Sequence, residues 1–374
     1  MLVGGGHAHV EVLRRHARRP MAAEVVLVSP HPRQPYSGMM PAVLRGATDA
    51  GALAIDLAAL CRAARARFVE EAATRVAADE RRGTVTTAGG DVHGDVVSLD
   101  VGATTAGLRT IPGADAHAHA VRPLARWEAL VARAATLLAL PGAPPFDCCV
   151  VGAGAGGVEI ALALHARAVA AGREPRVALV DAGRLLEGWS PAGASRVRRL
   201  LASRGIAVHE HARADRVTED AVLLADGSRV PSALTVWTAG AAPHPLVRDS
   251  MLPADAAGWL RVDDTLRAVD GSALWGAGDC VTIDGAEWVP KAGVYAVRAA
   301  PVLAHNLRAA LAGRPRDLRR FAPRRRVLAL LDTADGRAVA RWGGVVAHGR
   351  WAWWLKRAID RRYVARYHAP GAGA

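Results

Sequence analysis

Two glycine-rich turns of one kind, Val3-Gly4-Gly5-Gly6-His7-Ala8-His9 and Val151-Gly152-Ala153-Gly154-Ala155-Gly156-Gly157, limit what this chain can become more than any other feature. In such a turn the first glycine makes a tight strand-to-helix reversal. The second lets the backbone approach a pyrophosphate, and the third lets helix and strand pack closely. The phosphates then meet the free N–H groups and partial positive charge of a helix N-terminus. One turn predicts one dinucleotide; two predict a pair held face to face, an arrangement suited to moving electrons between them.

The second turn matches the spacing fully, with Cys148 to Val151 as the strand running into Gly152, Gly154 and Gly157 and a helix expected over Val158 to Ala171. A further strand, Arg176 to Val180, ends at Asp181, placed to hold an adenosine ribose by its hydroxyls. That acid favours NADH, with NADPH the alternative because Arg184 is near. The first turn departs from the pattern: His9 stands at the third glycine, and Ser29 rather than an acid closes the strand Glu24 to Val28. Its strand is cut short, with only Leu2 and Val3 as strand residues ahead of the glycines, so a start codon further upstream is expected. Gly4, Gly6, His7 and Ala8 are its expected phosphate contacts. A third signal is the apolar run Ala273-Leu274-Trp275-Gly276-Ala277 ending in Gly278-Asp279, a pattern with which flavoprotein reductases bring an Asp onto the ribityl chain of FAD. Val96 to Ala103 and Leu234 to Gly240 read as crossover strands whose ends, Gly102-Ala103 and Gly240, lie near the cofactors.

A chain of 374 residues is too long for one core, so more than one domain is expected. No apolar run reaches the roughly 18 residues of a membrane span, and no signal-peptide pattern opens the sequence, which predicts a cytoplasmic protein. Cys61, Cys148, Cys149 and Cys280 form no C-x-x-C pair, so a disulfide relay beside a flavin is excluded. Adjacent Cys148 and Cys149 point to opposite faces of one strand and read as core; Cys280 is the one thiol expected near a cofactor. His7 and His9 share an H-x-H spacing, but no acid or thiol cluster accompanies them, and no metal is expected. Arg14, Arg15, Arg18 and Arg19 read as the solvated face of a helix.

Taken together, Gly4 to His9, Tyr36 to Pro41, Gly154 to Glu159, Gly278-Asp279-Cys280 and Lys291 to Arg298 resemble one subfamily of FAD-dependent pyridine nucleotide oxidoreductases, the one found fused ahead of selenide, water dikinase in some bacteria. More distantly the chain is similar to type II NADH dehydrogenases and sulfide:quinone oxidoreductases. The resemblance implies that Tyr36 to Pro41 lies along the isoalloxazine ring and that Lys291 reaches its pyrimidine edge. It implies too that Glu159, in the first turn of its helix, faces the nicotinamide. The other reading of Glu159 is a favourable charge at a helix N-terminus.

Charge is concentrated at one end: between Arg314 and Tyr367 stand 15 Lys and Arg against 4 Asp. Arg325 to Asp332 and Ala338 to His348 read as two strands around Asp335-Gly336, and Trp351 to Tyr367 as an amphipathic helix. Trp351, Trp354, Leu355, Ala358, Ile359 and Tyr363 share one face; Lys356, Arg357, Asp360 and Arg361 lie opposite. That composition suits a helix lying in a bilayer interface. Inward packing, onto the flavin domain or the partner in a homodimer, is the alternative. No nucleic-acid-binding motif accompanies the basic stretch.

The expectation is therefore an α/β protein with two Rossmann-like dinucleotide-binding domains and a small C-terminal α+β piece. The FAD domain covers 1–115 and 251–320, the NAD(P)H domain 116–250 and the terminal piece 321–374. Glu159 and Lys291 are the catalytic candidates, and Pro41 is expected at the flavin. Hydride from NADH would reach FAD and then a small-molecule acceptor, with a quinone fitting a terminal helix peripheral to the inner face of the membrane. A sulfide- or selenide-oxidising flavoprotein and a non-catalytic flavin sensor partnering a selenophosphate synthetase are the rivals.

Overall fold

The computed structural model describes residues 1–49, 51, 54–122, 124–140 and 144–367. Two five-stranded parallel sheets carry the two glycine turns. The first runs in the order Leu274–Gly276, Val97–Leu99, Leu2–Val3, Val26–Val28, Arg67–Val69. The second runs Ala118–Ala120, Leu234–Trp237, Phe146–Val151, Pro175–Val180, Ala207–His209. Each also has a three-stranded antiparallel meander, over Arg75–Gly94 and Ala214–Pro231 respectively, whose following strand returns to pair with the glycine-turn strand. The same connectivity is used twice. An antiparallel pair, Thr104–Thr105 with Ala241–Ala242, links the sheets where the chain crosses between them.

Burial explains the strand sequences. Phe146, Cys148, Cys149, Val150 and Val151 are all buried, as a central parallel strand covered on both faces requires. Each fully buried Leu, Val or Phe of the two cores contributes about 1.5–3 kcal/mol relative to exposure. Gly4 (φ +90°) and Gly152 (φ +110°) both take left-handed backbone at the strand-to-helix reversal. A Cβ on Gly157 would overlap the carbonyl oxygen of Gly152, which is why the third glycine of that turn has no side chain. In the first turn His9 replaces that contact with a hydrogen bond. Its Nδ1 lies 2.7 Å from the Gly4 carbonyl oxygen, and Nε2 lies 2.8 Å from Ser98 Oγ. Because the carbonyl only accepts, Nδ1 carries the proton and Ser98 donates to Nε2.

Several boundaries differ from expectation. The helix expected from Val158 begins at Ala155 and runs to Ala170, because Gly156 and Gly157 sit inside its first turn. The strand expected to reach Ala103 ends at Leu99, where Asp100 turns its carboxylate inward and Gly102 adopts φ +71°. The terminal piece has three antiparallel strands, Leu328–Asp332, Ala338–Trp342 and Val345–Gly349, since Gly343 (φ +59°) and Gly344 break the expected second strand. Arg14 and Arg15 are not free solvated charges: both bind the buried Glu11 carboxylate, at 2.7 and 2.6 Å.

The terminal helix, Arg350–Tyr367, is amphipathic with a different partition from the one expected. Lys356, Asp360, Tyr363, Val364 and Tyr367 are buried, so two charges face inward and Tyr363 belongs with them. Trp351, Trp354, Leu355 and Ile359 face out, with Trp351 and Trp354 exposed to 55% and 57%. Local polarity misleads here because the inward face meets the apolar core at Tyr363, Val364 and Tyr367 but polar groups at Lys356 and Asp360. No helix among the described residues is long and apolar enough to cross a membrane.

Candidate functional site

A cleft of about 480 Å³ is bordered at once by Gly4, Gly5, Gly6 and His7 of the first turn and by Gly156 and Glu159 of the second. Ser29, Pro41, Gly102, Ala103, Asp279 and Lys291 also border it. The helices His7–Arg18, Ala155–Ala170 and Gly293–Leu311 start at or beside it; in none of the three does the N-cap residue supply a side-chain cap or the first turn carry an acid, although the Asp100 carboxylate accepts from two amides at the start of the first. Elsewhere the Leu57–Ala64 helix is capped by Asp56 and the Pro191–Ala202 helix by Ser190. Helix N-termini are anion seats, and among the described residues no atom beyond the immediate neighbours and the helix's own backbone comes within 4 Å of a Cβ added at Gly154 or Gly156. The residues present therefore fit two pyrophosphates. Gly152 and Gly157 serve the turn itself, while Gly240 (φ +51°) stands at the crossover rather than on the cleft.

Asp100 holds the first turn together. Its Oδ2 accepts from the amides of Ala8 (2.7 Å) and His9 (3.2 Å), and a Cβ on Gly6 would overlap this carboxylate. Burial pushes its pKa up to about 7 against the pull of those two amides. Asp279 pairs with Arg122 at 3.2 Å, an ion pair that ties the start of the second sheet's domain to the end of the first. Lys291 borders the cleft, yet its ammonium donates to the Val281 carbonyl and to Thr282 Oγ1 (3.3 Å) and lies 4.2 Å from the Trp259 ring centroid. Its charge is committed within the protein. Burial draws its pKa down. Cys280 is buried beneath the same turn, and burial pushes its thiol up to about 12.

Glu159 is the fifth residue of its helix, in the second turn rather than the first, so a charge placed to suit the helix end does not describe it. Its carboxylate accepts from the Asp332 amide at 2.8 Å and lies 3.9 Å from the Lys356 ammonium. Lys356 in turn donates to Asp360 (3.1 Å) and to the Gly38 carbonyl (2.6 Å). Burial lifts Glu159 to about 7, with Lys356 pulling the other way. Lys356 is drawn down by burial, but Glu159 and Asp360 together hold it above its ordinary value. Beside this network Tyr36 stacks on Tyr363 at 4.4 Å, and the Tyr363 hydroxyl meets His7 Nδ1 at 2.9 Å. Burial holds the His7 imidazole neutral, its pKa lowered to about 4. The terminal helix thus packs behind the cleft lining, against Glu159 and His7 from the two glycine-turn helices.

Sequence reasoning missed Asp100, Arg122, Lys356, Asp360 and Tyr363 as site groups. An acid inside the apolar run Val96 to Val101 was a usable signal for Asp100. For Lys356 and Asp360 the i,i+4 spacing reads equally as a solvated pair, and Arg122 carries no local signal.

Two dinucleotide seats on one cleft, with no dithiol beside them, define the class of two-domain flavoprotein oxidoreductases. The chain belongs to the pyridine nucleotide-disulphide oxidoreductase family, whose model matches residues 1–305. Among curated relatives it is 31% identical over 122 residues to a probable NADH dehydrogenase of Dictyostelium discoideum, covering 32% of this chain and 27% of that one. It is 28% identical over 227 residues to the demethylphylloquinone reductase NdbB of Synechocystis sp., covering 59% of this chain and 54% of that one. The matched stretch thus spans about a quarter to a half of those relatives. In fold, it is similar to NDH2 of Plasmodium falciparum in complex with NADH (TM-score 0.83, 14% identity, covering 98% and 96% of the two chains). The sulfide:quinone oxidoreductase of Aquifex aeolicus is also similar (TM-score 0.80, 18% identity, 99% and 92%).

Proposed function

We propose that the chain is an FAD-dependent NADH oxidoreductase that delivers two electrons to a quinone, and that it belongs to the subfamily fused elsewhere to selenide, water dikinase. The subfamily reading rests on the motif series from Gly4 to Arg298. Bound FAD would supply two-electron chemistry, accepting hydride from the nicotinamide and passing electrons on. The observation that carries the reading is the network Glu159–Lys356–Asp360, which reaches the cleft through Glu159 and is completed by the terminal helix. Reduction of a quinone by NADH consumes one further proton: NADH, one proton and quinone give NAD⁺ and quinol. A carboxyl group with a pKa near 7, buried and beside an ammonium, is suited to hold that proton. Glu159 donates it, and Lys356 and Asp360 set the charge around it.

In the first turn, the His7 end of the helix and Gly6 hold the FAD pyrophosphate, with Asp100 orienting the turn and Asp279 at the ribityl chain. In the second, Gly154 and the start of the Ala155–Ala170 helix hold the NADH pyrophosphate, and Asp181 its ribose. Lys291 positions the start of the Gly293 helix, whose free amides supply positive potential at the flavin edge. Trp351, Trp354, Leu355 and Ile359 lie on the outer face of the helix whose inner face carries Lys356. A lipid surface meeting that face would bring a lipophilic quinone to the network, with the surrounding Arg side chains meeting anionic headgroups. A sulfide- or selenide-oxidising role is less well supported: all four cysteines are buried, and burial raises every thiol away from the reactive thiolate. The test is steady-state NADH oxidation by FAD-loaded protein with a short-chain quinone under anaerobic conditions. Turnover supports the proposal; NADH oxidation that no quinone stimulates contradicts the acceptor.

A further inference from the structure

A second cavity, of about 550 Å³, lies beyond Asp181, walled by Arg184, Glu187, Trp189, Arg198, Glu210 and His211. It adjoins the end of the strand that follows the second glycine turn, where the adenosine half of a nucleotide seated on that turn must lie. The Asp181 carboxylate is fixed there by two amides, Gly183 N on Oδ1 (2.7 Å) and Ala153 N on Oδ2 (2.6 Å). A second carboxylate reaches the same place. A methyl group added to Gly183 would lie 3.1 Å from Glu187 Oε2 and 3.3 Å from Asp181 Oδ1. The loop carrying Glu187 is tied down on both sides. Leu186 N donates to the Ala153 carbonyl and Leu185 N to Glu210, both Leu side chains are buried, and Trp189 N closes back on Leu186.

The cations of the cavity do not offset this pair equally. Arg198 is paired with Glu210 at 2.5 Å. Arg184 is exposed and enters no ion pair among the described residues, leaving one uncommitted cation against two carboxylates. We propose that Glu187 is a specificity-determining residue: with Asp181 it forms a double carboxylate that accepts a nucleotide bearing a free 2′-hydroxyl and repels one bearing a 2′-phosphate. This inference rests on the reading that the second glycine turn seats the pyridine nucleotide. A 2′-phosphate brings close to two negative charges to this point, and discrimination by repulsion costs the accepted ligand nothing.

The test measures dissociation constants of NAD⁺ and NADP⁺ for the FAD-loaded protein by calorimetry, which involves no turnover. In Glu187→Gln the preference for NAD⁺ over NADP⁺ falls about tenfold, while Glu187→Asp, which keeps the charge, retains most of it. In the unaltered protein the preference also shrinks as salt rises toward about 1 M, where charges are screened within about 3 Å. An unchanged ratio in Glu187→Gln, with FAD content and far-UV circular dichroism preserved, overturns the role of Glu187. Failure of the unaltered protein to bind either nucleotide overturns the seat itself, and the inference with it.

Discussion

The Lys356 ammonium lies 3.9 Å from the Glu159 carboxylate and 3.1 Å from that of Asp360, although the three residues come from a central helix and the last helix of the chain. Both partners are needed to keep a buried cation charged. Lys356→Met would leave Glu159 and Asp360 without their counter-charge, at a cost of about 3 kcal/mol at neutral pH. The Glu159 pKa should rise above about 7 once the cation is gone, since burial then acts unopposed by it. The expected result is an alkaline shift in the pH midpoint of quinone reduction, followed by stopped-flow absorbance, together with a lower Tm. Glu159→Gln should abolish that midpoint and slow quinone reduction by about 10²-fold, while NADH still bleaches the flavin.

Asp100 makes stability depend on pH in a direction opposite to most acids. Its folded pKa is raised, to about 7, so the folded state binds a proton that the unfolded chain releases. Its contribution is full below the ordinary carboxylate pKa and is lost as pH rises through about 7. Glu159, also raised to about 7, acts in the same direction. The Tm of the FAD-free protein should therefore fall between about pH 5 and pH 8, and Asp100→Asn should flatten part of that slope.

The two turns fail separately when their glycines are filled. Gly157→Ala places a Cβ onto the Gly152 carbonyl oxygen, and Gly6→Ala places one onto the Asp100 carboxylate. The first variant should purify with FAD and lose NADH affinity by more than about tenfold; the second should lose FAD. Absorbance at the flavin band and calorimetry with NAD⁺ distinguish the outcomes.

Tyr363 latches the terminal helix onto the first turn. Its hydroxyl meets His7 Nδ1 at 2.9 Å, and its ring stacks on Tyr36. Tyr363→Phe removes one buried hydrogen bond, about 1 kcal/mol, which for a chain of this length is a Tm change of about 2 °C. Tyr363→Ala also removes the stack and should speed FAD release, measured as flavin fluorescence appearing on dilution.

The outward tryptophans test membrane docking directly. Trp351→Ser with Trp354→Ser should cut co-sedimentation with vesicles containing phosphatidylglycerol by about tenfold, leaving reduction of a water-soluble quinone intact. Equal binding by both proteins would show that this face does not insert.

The two-sheet plan was legible in the sequence because its signals are local: glycines whose backbone must reverse, apolar strands entering them, and Asp279 after a buried run. The family match over residues 1–305 agrees with that reading. The terminal helix was legible as a helix but not in its orientation. Periodicity separates Trp351 and Trp354 from Lys356 and Asp360, but it cannot tell which face meets water when the protein side offers Glu159, the Gly38 carbonyl and Tyr36. Asp100, Arg122 and Tyr363 act through partners 92, 157 and 356 positions away. Such contacts exist only once both sheets have closed on the cleft.

The most direct test of the account is an anaerobic stopped-flow experiment on the FAD-loaded protein, mixed first with NADH and then with a short-chain quinone. The flavin band should bleach with NADH and return on addition of one equivalent of quinone. A flavin spectrum that NADH leaves unchanged, in protein that retains its FAD, would contradict it.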